Sequence, residues 1–408
     1  MSSRVSQNVV VVGGKLAGLL SALRIKQKYP DRAVAVVERE PFLTDHYRIV
    51  DRSATLSGTK TLHSGAYYAH RGHSRGRNPA EQRILANLLS DTKSDYGAML
   101  RLLNHYDLAP SQRDSRTLYL MFQGSFVEPG HFARSTRRHG VFARPVRSTE
   151  FDRLRRILRD YRGPSGQAME LAAAFECRDA LVDLVQLLNR LERDLMSLGV
   201  IMLGRHEITG TAEGSVLARS GGRTIAVPAD CIVNATGAFT AQTAKALLAR
   251  PPSGGYDAQY RHLAMVDRRA APIFDRISAG RYTFFRLFQN DFKVTLSEVI
   301  GDRSKVCFYA PELVPVPVER VDLAFRHRDL DPGLARAARC YGVDAADPTF
   351  RSYVGLAPYT RDGRTLLHET ATDTGVPVLN VVIEKMSGAS TGAPDVADWV
   401  GLAGLEDG

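Results

Sequence analysis

The apolar and polar positions at the start of the chain predict a βαβ unit. Four valines, Val9 to Val12, run unbroken into Gly13-Gly14-Lys15-Leu16-Ala17-Gly18. A short β-branched run without polar alternation predicts a strand buried on both faces of a parallel sheet. Leu16, Leu19, Leu20 and Leu23 then recur at helical spacing, a stripe suited to packing on that sheet. Tyr29-Pro30-Asp31 ends the helix, because proline lacks the amide donor and clashes with the preceding turn. A second apolar run, Ala33 to Val37, leads to Glu38. Pro79 to His105 is helical in spacing, and Leu181, Leu184, Leu188, Leu191, Leu195 and Leu198 form a stripe closed by Gly199. Val200 to Leu203, Glu207 to Ala218 and Arg223 to Val227 predict a strand and a meander. A buried strand from Cys231 ends in Ala235-Thr236-Gly237. Alternation then predicts strands over Tyr260 to Arg268, Tyr282 to Phe288, Phe292 to Ser297 and Val306 to Tyr309, and Val376 to Ile383 is the last strand.

The first crossover carries chemistry. Gly13, Gly14 and Gly18 make a turn that leaves backbone N–H groups and a positive helix end to hold a pyrophosphate. Glu38, followed by Arg39, stands about twenty residues further on, where an acid accepts hydrogen bonds from ribose hydroxyls. Lys15 occupies the second glycine of the G-x-G-x-x-G pattern. It either pairs with a phosphate as a point charge or weakens the site. Ala235, Thr236 and Gly237 are small enough to let a dinucleotide pass close to the backbone.

At 408 residues the chain exceeds one core, which predicts two lobes. Its 44% hydrophobic and 24% charged content is that of a soluble globular protein. No apolar run of about eighteen residues predicts a membrane span, and the polar Met1 to Gln7 is no signal peptide. Cys177, Cys231, Cys307 and Cys340 are far apart, which fits reduced thiols in a cytoplasm. No metal site is expected, since His70 and His73 sit among arginines in a loop-like stretch. The net charge of +10 gathers partly between Arg134 and Arg162. That cluster reads as a solvated helix without interleaved aromatics, so nucleic acid is a minor reading and an anionic substrate a simpler one.

The segment Leu62-His63-Ser64-Gly65-Ala66-Tyr67-Tyr68 resembles the I-H-S-G-I-Y-Y of L-2-hydroxyglutarate dehydrogenases/oxidases. These belong to the D-amino-acid-oxidase-like (DAO) superfamily of FAD-dependent oxidoreductases. Val233-Asn234-Ala235-Thr236-Gly237-Ala238-Phe239 is similar to the superfamily's V-N-A-A-G-x-W/F, and Gly355 to Gly363 to its G-x-R-P-x-x-x-D-G, with Ala357 replacing the arginine. The family's N-S-G before the histidine motif reads Gly58-Thr59-Lys60 here.

The resemblance implies an α/β fold: a discontinuous Rossmann-like FAD-binding domain (1–80, 165–250 and 350–408) and a mixed or antiparallel-sheet substrate domain (81–164 and 251–349) roofing the flavin. It implies FAD as cofactor, with Lys60, Thr61, Leu62 and His63 along the flavin. Gly388, Ala389, Ser390 and Thr391 would open a helix at the ring's O2/N1 end, where a helix N-terminus favours negative charge. The implied reaction is hydride transfer from a CH–OH or CH–NH group of a small, anionic substrate to flavin N5, with the later electron acceptor unnamed. His63 is the candidate proton shuttle, with a structural hydrogen bond or a covalent flavin link as alternatives. Arg286 is the candidate replacement for the arginine missing at Ala357, and Lys385 the steering cation. Tyr282, Lys293 and Tyr309 stand on the roof strands, where each is equally an ordinary strand residue. The alternative function is a protein that keeps the fold with a degenerate dinucleotide site and no redox turnover, which Lys15, Lys60 and Ala357 support. A flavin monooxygenase is a weaker rival, since no Gly-Asp pair of its kind stands near the last strand.

Overall fold

The structure is a computed structural model that describes residues 7–48, 53–57, 60–69, 79–163, 166, 168–252, 255–289, 292–310, 315–318, 321, 331–360, 364–383 and 386–403. Its first unit is β1 (Asn8–Val12), α1 (Leu16–Lys28) and β2 (Ala33–Glu38). Val9 and Val11 point to one face and Val10 and Val12 to the other, and all four are buried, as an unbroken run requires.

Short elements follow: α2 (Ala54–Ser57), β3 (Thr61–Leu62) and α3 (Ala66–Ala69), then the long α4 (Pro79–His105). Next come β4 (Thr117–Phe122), α5 (Pro129–Arg138), β5 (Ala143–Pro145), α6 (Ser148–Leu158), β6 (Leu171–Cys177) and β7 (Ala180–Leu181). Helix α7 (Leu184–Ser197) begins where the Asp183 carboxylate accepts a hydrogen bond from the Gln186 N–H at 3.0 Å. After it come β8 (Ile201–Gly204), the meander β9 (Glu207–Ala212), β10 (Ser215–Ser220) and β11 (Arg223–Pro228), then β12 (Cys231–Asn234) and α8 (Thr240–Ala246). The remaining elements are β13 (Tyr256–Asp267), α9 (Pro272–Ser278), β14 (Phe284–Gln289), β15 (Phe292–Glu298), β16 (Lys305–Ala310), β17 (Pro315–Val316), α10 (Asp331–Cys340), β18 (Arg351–Thr360), β19 (Leu366–Ala371), β20 (Pro377–Val382) and α11 (Gly388–Ala403).

Two sheets carry the molecule. The first runs β19-β20-β12-β1-β2-β8, parallel except for β19. Apolar residues of α1, α4, α7 and α11 cover one face in a single cluster, and the meander with the end of α8 covers the other. This is the doubly covered arrangement that parallel strands need. The second sheet runs β17-β13-β16-β15-β14-β4-β6-β5, with β18 on the free side of β13. One of its faces packs on α6, α9 and α10, and the other meets the histidine segment.

Some boundaries differ from the sequence expectation. Leu181 belongs to β7 rather than to the helix stripe, because it pairs with Thr61 of β3. Strands β6 and β18 pair in the second sheet, although 165–250 and 350–408 were expected with the first. Helix α4 packs Met99 and Leu103 into the first core, on the far side of the expected boundary. No described helix is long and apolar enough to cross a membrane.

Candidate cofactor and active site

At the carboxyl ends of β1, β2 and β12 the chain leaves a cavity of about 260 Å³. A single water needs only ~10–15 Å³ on such a scale, so the space suits a sizeable ligand. Gly13, Lys15, Glu38, Arg39, Ala235, Thr236 and Gly237, all expected there, line it. Gly13 has φ +106°, and a Cβ on it would lie 2.7 Å from the Ala235 carbonyl oxygen. A Cβ on Gly18 would lie 1.8 Å from the Gly13 carbonyl oxygen, so α1 can approach the turn only through glycine. Gly14 stands just behind the lining, and its N–H donates to Glu38 Oε2 at 2.6 Å. Glu38 Oε1 accepts from the Glu40 N–H at 2.9 Å. Each carboxylate oxygen keeps a lone pair, which is what a pair of ribose hydroxyls would use.

Lys15 precedes α1 in an extended backbone (φ −108°, ψ −169°), a region open to any residue. The absent second glycine therefore adds no strain to the turn. Lys15 is half-buried on the cavity wall, and its charge is felt by Glu192. Burial raises the Glu192 carboxyl; the Leu43 and Thr44 N–H groups and Lys15 oppose that shift.

The wall beyond β12 is held by a polar clamp. Asn234 donates to Asn380 Oδ1 at 2.8 Å and to the Thr240 carbonyl at 2.9 Å, and the Thr236 hydroxyl donates to Asn234 Oδ1 at 2.7 Å. Ser53 bridges to Leu356 of β18, which brings Leu356 and Pro358 to the cavity. Phe239, with the Arg39 guanidinium 5.0 Å from its ring, closes the side near His206 and Gln242. Sequence reasoning missed Ser53, His206, Gln242 and Asn380, since none belongs to a local motif. The glycines, Glu38 and the clamp together fit an ADP-like half of a dinucleotide.

Ile383 carries the cavity toward α11. Gly388 and Ala389 are buried at the start of that helix, the Ser390 hydroxyl donates to the Ser387 carbonyl at 2.7 Å, and the Thr391 hydroxyl donates to Asp95 Oδ1 at 2.7 Å. None of the four lines the cavity. Lys385, like His70 and His73, lies outside the described residues, as does the side chain of Lys293.

The histidine motif forms a second site. Thr61 and Leu62 are buried and pair with Leu181 and Ala180. Lys60 precedes them at φ +49°, an uncommon region outside glycine. Its carbonyl accepts from the Val182 N–H at 3.0 Å, and its charge opposes the burial that pushes the Cys307 thiol of β16 up to about 12. His63 stacks on Tyr67, with ring centres 4.7 Å apart and 19° between planes, and its Nδ1 is 3.3 Å from Asp179 Oδ2. Across the second sheet Leu263, Tyr309, Thr295, Arg286 and Tyr119 stand opposite one another in register. Arg286 is 2% exposed, its guanidinium 4.0 Å from the Tyr67 ring centre and 5.0 Å from that of Phe284. Its Nε is buried without a hydrogen-bond partner. Tyr282 is buried in the core on the other face, and Ala357, also buried, lies on β18. Asp179 and Tyr119 were not singled out from sequence, because their partners are distant in the chain, and Tyr67 was read only as a member of the histidine motif.

Comparison with known proteins bears on the whole arrangement. The sequence family described as FAD dependent oxidoreductase (DAO) matches residues 8–389. Among solved structures, the open form of NikD, an unusual amino acid oxidase of nikkomycin biosynthesis, superposes with TM-score 0.65 at 16% identity, covering 98% of this chain and 95% of that one. L-α-glycerophosphate oxidase from Mycoplasma pneumoniae with FAD bound gives 0.61 at 15% identity (97% and 94% covered), and glycine oxidase from Bacillus cereus gives 0.60 at 11% (97% and 95%). At such identities the structures speak for the fold. The comparison with curated protein sequences found no match. The family match spans both the glycine cradle and the histidine segment, and the chain belongs to the DAO family of FAD-dependent oxidoreductases.

Proposed function

We propose that this flavoenzyme oxidises the CH–OH or CH–NH group of a small carboxylate, and that its type is nearest to the L-2-hydroxyglutarate dehydrogenases/oxidases. The observation that carries the substrate reading is Arg286. Its Nε is sealed from water and, among the described residues, has no hydrogen-bond partner. A buried charged donor left without an acceptor costs about 1–3 kcal/mol, and an arriving anion offsets that cost. Tyr67, which touches both Arg286 and His63, joins the anion anchor to the proton acceptor.

Gly13, Gly14, Gly18 and Glu38 would hold the adenosine and pyrophosphate half of FAD, with Lys15 beside the phosphates. The start of α11 would face the ring. The flavin supplies the two-electron acceptor, and the protein orients the substrate carbon and takes its proton. Lys385 is proposed as a steering cation, which Lys385→Ala tests through the on-rate of the substrate anion. For the anchor, Arg286→Ala is expected to raise KM for a small carboxylate about 10–100-fold, the size of a lost charge-assisted contact. FAD affinity should stay within twofold. An unchanged KM contradicts the reading.

A further inference from the structure

The described residues hold a dense group of titratable side chains where the β3–β7 ladder meets the second sheet. Leu62 stands opposite Ala180, and one further step of that antiparallel register brings His63 to Asp179. The Asp179 side chain is wholly buried. Its Oδ1 accepts from the Ser64 N–H at 2.7 Å and the Ser64 hydroxyl at 2.8 Å, and its Oδ2 accepts from the Tyr119 hydroxyl at 2.6 Å. The Thr117 hydroxyl donates to its backbone carbonyl at 2.6 Å. None of these donors changes charge near neutral pH, so Asp179 is set as a carboxylate, which only accepts. A carboxylate facing Nδ1 of His63 requires the proton on Nδ1. Nε2, at the far edge of the ring, is then the nitrogen that accepts. Of this pair only the His63 side chain is open, at 17% exposure.

We propose that Asp179 is the positioning residue of the active site. It holds His63 as the Nδ1–H tautomer, with Nε2 turned to a substrate hydroxyl, and so suits the site to 2-hydroxy acids rather than 2-amino acids. The inference rests on the proposed oxidation of a small carboxylate. A neutral amine needs no base, because its nitrogen lone pair forms the C=N bond as the hydride leaves. A hydroxyl has to lose its proton as the carbonyl forms. With the flavin bound as hydride acceptor, the C–H bond breaks with its electron pair leaving, the O–H proton passes to Nε2, and a 2-keto acid results. The imidazolium so formed is balanced by Asp179, in the manner of a carboxylate that orients a catalytic histidine.

The other groups around His63 fit this reading. Tyr67 and Tyr68 on α3 pack on the ring, and Tyr119 on β4 is held protonated, with burial the largest cause. Cys177 on β6 is likewise kept a thiol, mainly by burial. The charge of Arg286 on β14 also reaches Asp179. It opposes protonation of His63, and Asp179 favours it.

Two measurements decide. In holoprotein labelled with 15N-histidine, with the His63 signals assigned by their loss in His63→Gln, the wild type near neutral pH is expected to show the Nδ1–H tautomer. The wild type in the Nε2–H tautomer overturns the proposal, and this reading does not depend on Asp179→Asn folding. The second is the pH profile of anaerobic flavin reduction by 2-hydroxy and 2-amino carboxylates. Asp179→Asn, with FAD occupancy held, is expected to reduce roughly 10²–10⁴-fold more slowly with a 2-hydroxy acid. Its rising limb should move at least half a pH unit lower, since the lost negative charge no longer favours the imidazolium. An unchanged profile, or a wild type reduced by 2-amino acids alone, overturns the proposal. If no small carboxylate reduces the wild-type flavin, the substrate reading fails, while the tautomer still decides the role of Asp179.

Discussion

Glu38 shows how far single residues could be read without coordinates. Its place at the end of β2, after a glycine turn, was legible because strand, turn, helix and acid follow one another locally. The structure adds that each of its oxygens already accepts one backbone N–H. Glu38→Ala is expected to weaken FAD binding by about 1–3 kcal/mol, read by flavin fluorescence titration; an unchanged Kd refutes the ribose contact. Asp179 is the opposite case. It lies 116 positions from His63, and no local pattern announces the pairing. Burial alone would raise its carboxyl, but His63, Arg286 and the Tyr119 hydroxyl outweigh it and hold the group at about 2. A depressed pKa stabilises the native state above the unfolded value near 3.8, and that contribution is lost as pH falls toward 2. Wild type should thus lose roughly 2 kcal/mol more than Asp179→Asn between pH 5 and 2 in urea titrations. Parallel losses in the two proteins contradict the pairing.

Elements were legible where their period was unbroken. Strand β1, helices α1 and α4, the meander and the strands from β13 to β16 all follow from valine runs, leucine spacing or alternation. The start of α7 was not, because Leu181 keeps the helical spacing while pairing in β7. Asp183 sets the boundary instead, and Asp183→Ala should cost about 1 kcal/mol of unfolding free energy, measured in urea. FAD affinity is expected to hold within twofold, since the cap lies outside the cavity lining. A loss of FAD binding without loss of stability would show that the boundary plays another part. Sheet membership was also hidden. Leu171–Cys177 and Arg351–Thr360 were not picked out as strands, and the partners that draw them into the second sheet are distant in the chain.

At the scale of the molecule, two layered sheets leave a dinucleotide cradle on one and an arginine–tyrosine face on the other. The +10 net charge favours approach of an anion. KM for a carboxylate is therefore expected to rise as ionic strength goes from about 10 to 300 mM, since the screening length shrinks from ~30 Å to under 10 Å over that range; a flat dependence would leave no role for long-range attraction. The central claim joins the cradle to that face: FAD bound by the first, a small carboxylate oxidised against the second. Its most direct test is anaerobic spectroscopy of the purified protein with a panel of 2-hydroxy carboxylates, 2-amino carboxylates and their uncharged amide counterparts. The account predicts an oxidised-flavin spectrum bleached by a carboxylate and not by its amide, with bleaching weakened in Arg286→Ala. A flavin bleached equally by carboxylate and amide, or a folded protein that takes up no FAD, would contradict it.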